Sequence, residues 1–276
     1  MDRMDNVTTI TTPETARRHW RFPMAQLLPW LLPVTFLALW QLSVSSGLIT
    51  SSLVPSPWAV FQDGVDLWQA GTLPTNISIS LYRATVGFVI GGGLGFLLGL
   101  LNGLSKRSRA LLDTPLQMLR NIPHLSLIPV VIILLGIGET AKISLVAIGV
   151  LFPIYINTYH GIANSDSELL EMGRSYGLSK WQLFSKIIFP GALPTILMGV
   201  RYGLGIMWTT LIVAETMSSN SGIGYMATNA QEFMDMKTVL LCIVLYALLG
   251  KLSDLIAKGL ESTFLAWRTK GVTIND

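Results

Sequence analysis

The sequence predicts an all-α membrane protein of about six transmembrane helices with a helix–turn–helix loop on the cytoplasmic side. Only 13% of the 276 residues are charged, whereas soluble domains carry about 25%. The mean hydropathy is +0.54. Several apolar runs are long enough to cross ~30 Å of hydrocarbon as helices, which satisfy their own backbone hydrogen bonds in lipid. These observations exclude a soluble enzyme with a peripheral anchor.

The apolar runs lie within residues 27–260. Residues 1–26 are expected to form a polar tail and not a signal peptide, because they carry four arginines and no apolar core. Residues 261–276 form a second tail. Pro123 and Pro129 interrupt the third run and could split or shorten it. The six runs are Leu27–Val44, Tyr82–Leu104, Leu112–Ile137, Ile143–Ile162, Leu193–Thr216 and Val239–Leu260.

The distribution of lysine and arginine predicts the orientation of these spans. Six spans place both termini on one side, and the segments on that side carry 12 lysines and arginines against two on the other. Basic loops stay in the cytoplasm, so we expect both termini there. The basic segments are 1–26, 105–111, 163–192 and 261–276.

Five glycines recur at every fourth position along the second run. On a helix they form one small-residue ridge, which lets another backbone approach closely. We interpret the ridge as a packing face, and the alternative is a surface along which helices slide during gating. The glycines are Gly87, Gly91, Gly95, Gly99 and Gly103.

Composition and motifs argue against nucleotide, nucleic-acid, metal and catalytic sites. Neither Gly-x-Gly-x-x-Gly nor a Walker A sequence occurs, so no recognisable nucleotide site is present. The net charge of +3 does not suggest binding to nucleic acid. A single cysteine, Cys242, allows neither an intrachain disulfide nor a thiolate cluster, and the three histidines are scattered. We therefore expect no metal and no catalytic centre.

The polar segment 164–194, between the fourth and fifth spans, predicts two short helices. Ser165 and Glu168 form a possible capping box at the start of the first, and Gly177 is well placed to end it. We expect the pair to lie on the cytoplasmic side and to expose large apolar side chains. Such side chains need either a protein partner or the membrane surface.

The second of these helices has its own signals. Ser179 and Gln182 repeat the capping-box pattern, and Pro190 is expected to stop the helix. Its apolar face would include Trp181 and Phe184.

Four residues of this segment fit the pattern Glu-x5-Gly-x9-Ile-x-apolar-Pro, namely Glu171, Gly177, Ile187 and Pro190. This pattern resembles the EAA loop of the membrane permeases of bacterial ABC importers. The family usually has two alanines after the glutamate, where this chain has Met172 and Gly173, and it usually has leucine where this chain has Phe189.

The resemblance extends from about Leu31 to Leu260 and is greatest to permeases for aliphatic sulfonates. Nitrate, taurine and thiamine-precursor permeases are similar in fold and in this loop. The segments that carry the resemblance to sulfonate permeases are Val54–Pro57, Met118–His124, Phe152–Asn157, Val213–Thr216 and Ser221–Tyr225.

The resemblance implies a homodimer in the bacterial inner membrane that works with two ABC ATPase subunits and an extracytoplasmic binding protein. ATP would bind to the ATPase, and this chain would need no cofactor. Closure of the ATPase pair would tilt the spans and give alternating access. The residues implied in coupling to the ATPase are Leu170, Glu171, Met172, Gly173, Gly177, Ile187 and Pro190.

Polar residues within the spans are candidates for the translocation path or its gate, because hydroxyl and amide groups can replace the hydration of a small oxyanion. Hydrogen bonds between helices are the alternative. The candidates are Arg120, Asn121, His124, Asn157, Trp208, Thr209, Thr210 and Glu215.

Arg201 and Glu215 lie on the same span, roughly 21 Å apart along a helix, and cannot pair. Each could reach water from its end of the span, and Glu215 could otherwise serve a gate or a packing contact. Lys251 and Asp254 could pair on one face. The outer segment 218–233 could dip into the mouth of the path or form a plain loop.

Two other classes of function make different predictions. An ion-coupled secondary carrier or channel predicts carboxylates near the bilayer midplane and inverted repeats, and neither is evident. A membrane enzyme predicts a nucleophile elbow or a metal motif, and neither occurs in the sequence.

Overall fold

The computed structural model describes residues 24–50 and 54–267. The tails predicted for 1–26 and 261–276 lie mostly outside these residues, as do half of the basic residues that predict the orientation. Within the described residues all regular structure is helical. The helices are α1 Met24–Ser45, α2 Pro57–Gln69, α3 Thr72–Leu104, α4 Lys106–Arg120, α5 Ile128–Leu135, α6 Glu139–Ala163, α7 Ser167–Ser175, α8 Lys180–Leu183, α9 Phe189–Ser218, α10 Ile223–Glu232 and α11 Met236–Phe264.

Among the described residues, four helices are long and apolar enough to cross a membrane: α3, α6, α11 and the continuous helix Lys180–Met217 that contains α8 and α9. The second span therefore begins at Thr72, about three turns before the predicted Tyr82. α1 coincides with the first predicted span, and its apolar part Leu31–Ser45 is shorter than the other four helices.

The third predicted span is broken. α4 and the segment His124–Leu135 meet at an angle of 85°. The break falls at residues 121–123, where Pro123 has no amide hydrogen and disfavours helical geometry at Ile122. Pro129, by contrast, sits in the first turn of α5, where a proline is well tolerated. The expectation that the prolines could split the third run is therefore confirmed, at Pro123.

α6 is the central helix and packs between α3 and α9. Its buried side chains include Val146, Val150 and Ile154, which form a core with Ala84 of α3 and Leu211 of α9. α3 comes unusually close to α6 because it presents glycine along the contact.

The glycine ridge of α3 faces α6 along its whole length. A Cβ atom at Gly91 would collide with the backbone carbonyl of Ala147, and one at Gly99 would lie 2.7 Å from the carbonyl oxygen of Tyr155. Gly93 points away and would meet nothing within 4 Å. The ridge thus brings two backbones into contact, which a larger residue would prevent.

Pro190 does not stop the second loop helix. A single π turn, Phe184–Ile188, joins α8 to α9, with the Phe189 amide donating to the Phe184 carbonyl. Pro190 lies in the first turn of α9. The wider turn accommodates the missing proline amide, so the loop and the fifth span form one helix, Lys180–Met217.

The outer segment 218–233 is mostly helical and not a plain loop. α10 packs against α3, α9 and α11, and Ile223 and Met226 are buried in a core with Leu241 of α11. The preceding Gly222 has a φ of +105°, which favours glycine.

α2 is held to α11 through a polar contact. The Thr238 hydroxyl lies 2.9 Å from the Asp63 carboxylate and 2.8 Å from that of Asp235. Burial raises the pKa of the Asp63 carboxyl above its ordinary value.

Candidate functional site

The loop between the fourth and fifth spans begins with α7. Its N-cap is Asp166, whose side chain accepts hydrogen bonds from the amides of Glu168 and Leu169. The capping box expected at Ser165 and Glu168 is therefore wrong, since the Ser165 hydroxyl donates to the Ile162 carbonyl. A carboxylate at the N-cap also interacts favourably with the positive end of the helix dipole.

Two glycines set the angle between α7 and α8. Gly177 follows the end of α7 with a φ of +75°, a left-handed conformation that ends helices. Gly173 is buried where the two helices meet, and a Cβ atom there would lie 2.7 Å from Leu183 and 2.8 Å from Ile187. α8 begins with the predicted capping box of Ser179 and Gln182, which is confirmed.

This helix pair exposes four large apolar side chains. Leu169, Met172, Tyr176 and Trp181 are exposed, the last two by 80% and 71%. We name these four residues the loop surface. Glu171 is exposed beside it, whereas Leu170, Ile187 and Pro190 are half-buried. Exposed aromatic side chains that lie close together are typical of a contact surface for another protein.

The polar residues predicted for the translocation path do not form one site. Asn157 and Thr209 line a cavity of about 600 Å³ between α6, α9 and α11. His124 and Thr210 lie elsewhere and pair with each other at 3.1 Å. Trp208 is buried and donates to Ser253 at 2.8 Å. Arg120 and Asn121 are exposed at the end of α4.

Arg201, which was not among the predicted path residues, borders the cavity together with Asp254. The two side chains pair at 2.6 Å. Asp254 also lies 2.9 Å from Lys258 and 3.7 Å from Lys251, so the predicted pair of Lys251 and Asp254 is confirmed as one of several. Glu261 lies 3.7 Å from Arg201. We name these five residues the inner cluster.

A second group of charges lies toward the other end of α9, and its central pair is fully buried. The Arg83 guanidinium pairs with Glu215 at 2.7 Å, and neither side chain is exposed. It also pairs with Glu139, which Lys142 approaches at 3.5 Å. We name these four residues the outer cluster. Glu215 therefore does not reach water, and its ionic partner lies in the same chain.

Both the Arg83 guanidinium and the Glu215 carboxylate form further hydrogen bonds. Arg83 donates to the Ser221 carbonyl and hydroxyl at 2.7 and 2.8 Å. Glu215 accepts from Ser80, the Gly224 amide and Tyr246 at 2.8 to 3.2 Å. A buried ion pair is stable only when its remaining donors and acceptors are satisfied in this way.

The outer cluster also holds the segment that leads into α10. Ser80 accepts a hydrogen bond from the Ile223 amide at 2.9 Å, and Asn76 accepts one from the Gly222 amide at 2.7 Å. The cluster thus connects α3, α6, α9 and the 219–224 segment at one end of the bundle.

Sequence reasoning missed Arg83 and Glu139. The second apolar run begins at Tyr82, which puts Arg83 at its edge, and Glu139 falls between the third and fourth runs. The usable signal was an arginine one residue inside an apolar run, since a charge in a span usually has a partner.

The fold is that of a polytopic helical membrane protein with exposed apolar side chains on one loop. Residues 91–265 match the family described as the inner membrane component of binding-protein-dependent transport systems. The match covers more than half of the chain, and the chain belongs to this family. It is therefore a transport permease, and the membrane-enzyme and secondary-carrier alternatives are excluded.

Two relatives are similar over most of their length. SsuC of Escherichia coli K12, named for aliphatic sulfonates transport, is 55% identical over 244 residues, which are 88% of this chain and 93% of the relative. The protein of the same name from Bacillus subtilis 168 is 42% identical over 238 residues, 86% of each chain. A solved chain of the inward-facing MetNI methionine ABC transporter has a TM-score of 0.49 at 18% identity, covering 65% of this chain and 93% of that one.

Proposed function

We propose that this chain is the membrane-spanning permease of an ATP-driven importer for aliphatic sulfonates. The observation that carries this proposal is the 55% identity to a protein named for aliphatic sulfonates transport, over 88% of this chain. The second relative named for the same substrate class, from Bacillus subtilis, supports it. Nitrate, taurine and a thiamine precursor are the alternative substrates.

The loop surface supports a role in coupling to the ATPase. Its apolar side chains can fill a groove on a partner, and Glu171 beside them can pair with a basic group or cap an amide of that partner. In this proposal two ATPase subunits bind ATP, and two copies of this chain form the path. In this proposal the chain itself needs no cofactor and no metal.

The orientation of the chain in the membrane is part of the proposal. Twelve basic residues on one side against two on the other favour a cytoplasmic position for both termini and for the loop surface. The outer cluster and α10 then lie on the side where an extracytoplasmic binding protein delivers its cargo. Closure of the ATPase pair would act on the loop and alternately open the path to each side.

Uptake in a deletion strain tests the substrate. Cells that lack this chain, with and without a plasmid copy, are offered alkanesulfonate, taurine or nitrate under sulfur or nitrogen starvation. We expect ATP-dependent alkanesulfonate uptake only with the plasmid copy. Restored uptake of taurine or nitrate alone would overturn the assignment of sulfonates as the substrate, but it would not change the assigned class of transporter.

Gly177 tests the coupling role. Gly177→Leu places a side chain in a left-handed conformation, although a Cβ atom there meets nothing within 4 Å. The strain thus changes the angle between α7 and α8 and leaves the spans unaffected. We expect uptake to fall about tenfold while ATP hydrolysis persists, which corresponds to roughly 1.4 kcal/mol of lost coupling.

Gly191→Leu is the matched control for this variant. Gly191 is exposed in the same region, its Cβ position is also open, and its φ is not positive. Both variants are compared in reconstituted transporter. Normal uptake with normal substrate-stimulated hydrolysis in Gly177→Leu would refute the coupling role.

A further inference from the structure

One face of α9 is exposed and polar, although this helix belongs to a segment long and apolar enough to cross a bilayer. Its exposed positions include Arg201, Tyr202, Gly205 and Thr209. Positions that face lipid are apolar, and an arginine among them is strongly unfavourable. This face therefore borders water or protein.

The same face lines the cavity of about 600 Å³. α6 contributes Asn157 to its wall, and α11 contributes Ser253 and Asp254. The volume is in the range of ligand-binding clefts and larger than a small alkanesulfonate, so an anion can keep part of its hydration there. The Asn157 amide already donates to the Pro153 carbonyl at 2.8 Å and the Thr209 hydroxyl to the Ile206 carbonyl at 3.0 Å, so the second amide hydrogen of Asn157 and the Ser253 hydroxyl are the donors that remain for an anion.

The charges at this cavity are unequal. The inner cluster joins three cations, Arg201, Lys251 and Lys258, to two carboxylates, Asp254 and Glu261. Its net charge is therefore +1 at neutral pH. Such an excess beside a cleft attracts anions.

The hydrogen-bond donors of Arg201 are also only partly used. Among the described residues its guanidinium donates one hydrogen bond, to Asp254 at 2.6 Å, and Glu261 at 3.7 Å is too far away for another. Its side chain is 41% exposed. A guanidinium can bind a sulfonate through two parallel hydrogen bonds, because both groups offer a matching fork of donors and acceptors.

Asp254 can release Arg201 without losing its charge partners. Lys258 lies 2.9 Å and Lys251 3.7 Å from the same carboxylate. An anion that takes the place of Asp254 on Arg201 therefore leaves no carboxylate unpaired. Glu215 of the outer cluster has no such second cation among the described residues, since its ion pair is with buried Arg83 alone.

We propose that Arg201 is the anion-binding residue of the translocation path, and that it exchanges Asp254 for the sulfonate group of the passing substrate. This proposal rests on the proposed function, which supplies the anionic substrate. Asn157, Thr209 and Ser253 complete the polar lining. Binding is weak, since the substrate competes with an intramolecular carboxylate, and weak binding allows release.

The local potential beside Arg201 can be measured without transport. Gly205→Cys places a thiol one turn from Arg201, where a Cβ atom meets nothing within 4 Å. Two methanethiosulfonate reagents, one with a sulfonate and one with a trimethylammonium group, label it in membrane vesicles that hold the assembled transporter. Cys242 is buried, so the unmodified chain is the blank.

We expect the anionic reagent to be favoured, and Arg201→Gln to lower the ratio of anionic to cationic labelling rates about fivefold or more. Arg201→Lys should keep most of the ratio. Lys237→Gln is the matched control, because Lys237 lies on the same helix as Asp254, 17 residues before it and outside the inner cluster, and it should change the ratio less than twofold.

Butanesulfonate added before labelling should slow both reagents in Gly205→Cys and have no effect in the double variant with Arg201→Gln. An unchanged ratio in Arg201→Gln, or a thiol that neither reagent reaches, would overturn the proposal. If the ratio falls as expected but the unmodified transporter takes up no alkanesulfonate, the anion site stands and the assigned substrate fails.

Discussion

The two charge clusters on α9 contain the same kinds of residues and differ in almost every physical respect. The outer pair of Arg83 and Glu215 is completely buried, whereas Arg201 and Asp254 are exposed by 41% and 27%. The outer pair is surrounded by hydroxyl and amide donors. The inner pair shares its carboxylate with two lysines.

This difference indicates opposite roles. A buried pair with all its hydrogen bonds satisfied cannot exchange a partner without leaving a charge unpaired in low dielectric, so it fixes a structure. A half-exposed pair with a redundant partner contributes little to stability and can exchange. The variants below test this contrast, from the largest expected effect to the smallest.

Glu215→Gln should destabilise the protein by about 3 kcal/mol, because it removes the buried one of the two carboxylates that compensate Arg83 and leaves only the half-exposed Glu139. The free energy of unfolding is measured by denaturant titration in detergent micelles with circular dichroism. Arg83→Gln combined with Glu215→Gln should recover part of the loss, since no unpaired charge then remains. If Glu215→Gln alone were as stable as the unmodified chain, a structural role for the outer cluster would be contradicted.

Gly91→Ala should cost about 3 kcal/mol, the upper end for overpacking, because its Cβ atom meets the backbone carbonyl of Ala147 and cannot be relieved by a rotamer change. It also separates α3 from α6, which carry Arg83 and Glu139. Gly93→Ala on the same helix meets nothing within 4 Å and is the matched control. The same titration checks both, and equal stabilities would contradict a close α3–α6 contact.

Ser80→Ala should cost about 1–2 kcal/mol, since it leaves the buried Ile223 amide without its acceptor and removes one donor to Glu215. Hydrogen exchange should rise first at the start of α10. Protection that is unchanged there would show that Ser80 does not hold this segment.

Asp254→Asn should not change the unfolding midpoint measurably, because this carboxylate is partly exposed and its pairs are screened. It should nevertheless raise the ratio of anionic to cationic labelling at Gly205→Cys, since it removes a negative charge next to Arg201. A loss of stability as large as that of Glu215→Gln would erase the contrast between the clusters.

Local signals in the sequence were enough for much of the fold. Hydropathy located four of the long helices, the spacing of five glycines identified the face of α3 that meets α6, and Ser179 and Gly177 marked a helix start and a helix end. Each of these features depends on residues within a few turns of one another.

The features that were missed depend on distant residues or on competing local effects. Arg83 and Glu215 are 132 positions apart, so no periodicity connects them. Pro190 was expected to stop a helix, but the π turn before it removed the conflict. At Asp166 two neighbouring residues could both cap α7, and the carboxylate prevailed over the Ser165 hydroxyl.

The π turn at Phe184–Ile188 has a consequence for angular register. Because such a turn accommodates one residue more than an α turn, it offsets α8 from α9 by about 100° around the shared axis. If the same residues wound as an uninterrupted α-helix, Trp181 would be rotated by that angle relative to Arg201 and Glu215, whereas deleting one residue at the turn would restore α winding and keep the two segments in their present orientation. The one extra residue in the π turn therefore sets the direction in which the loop surface faces.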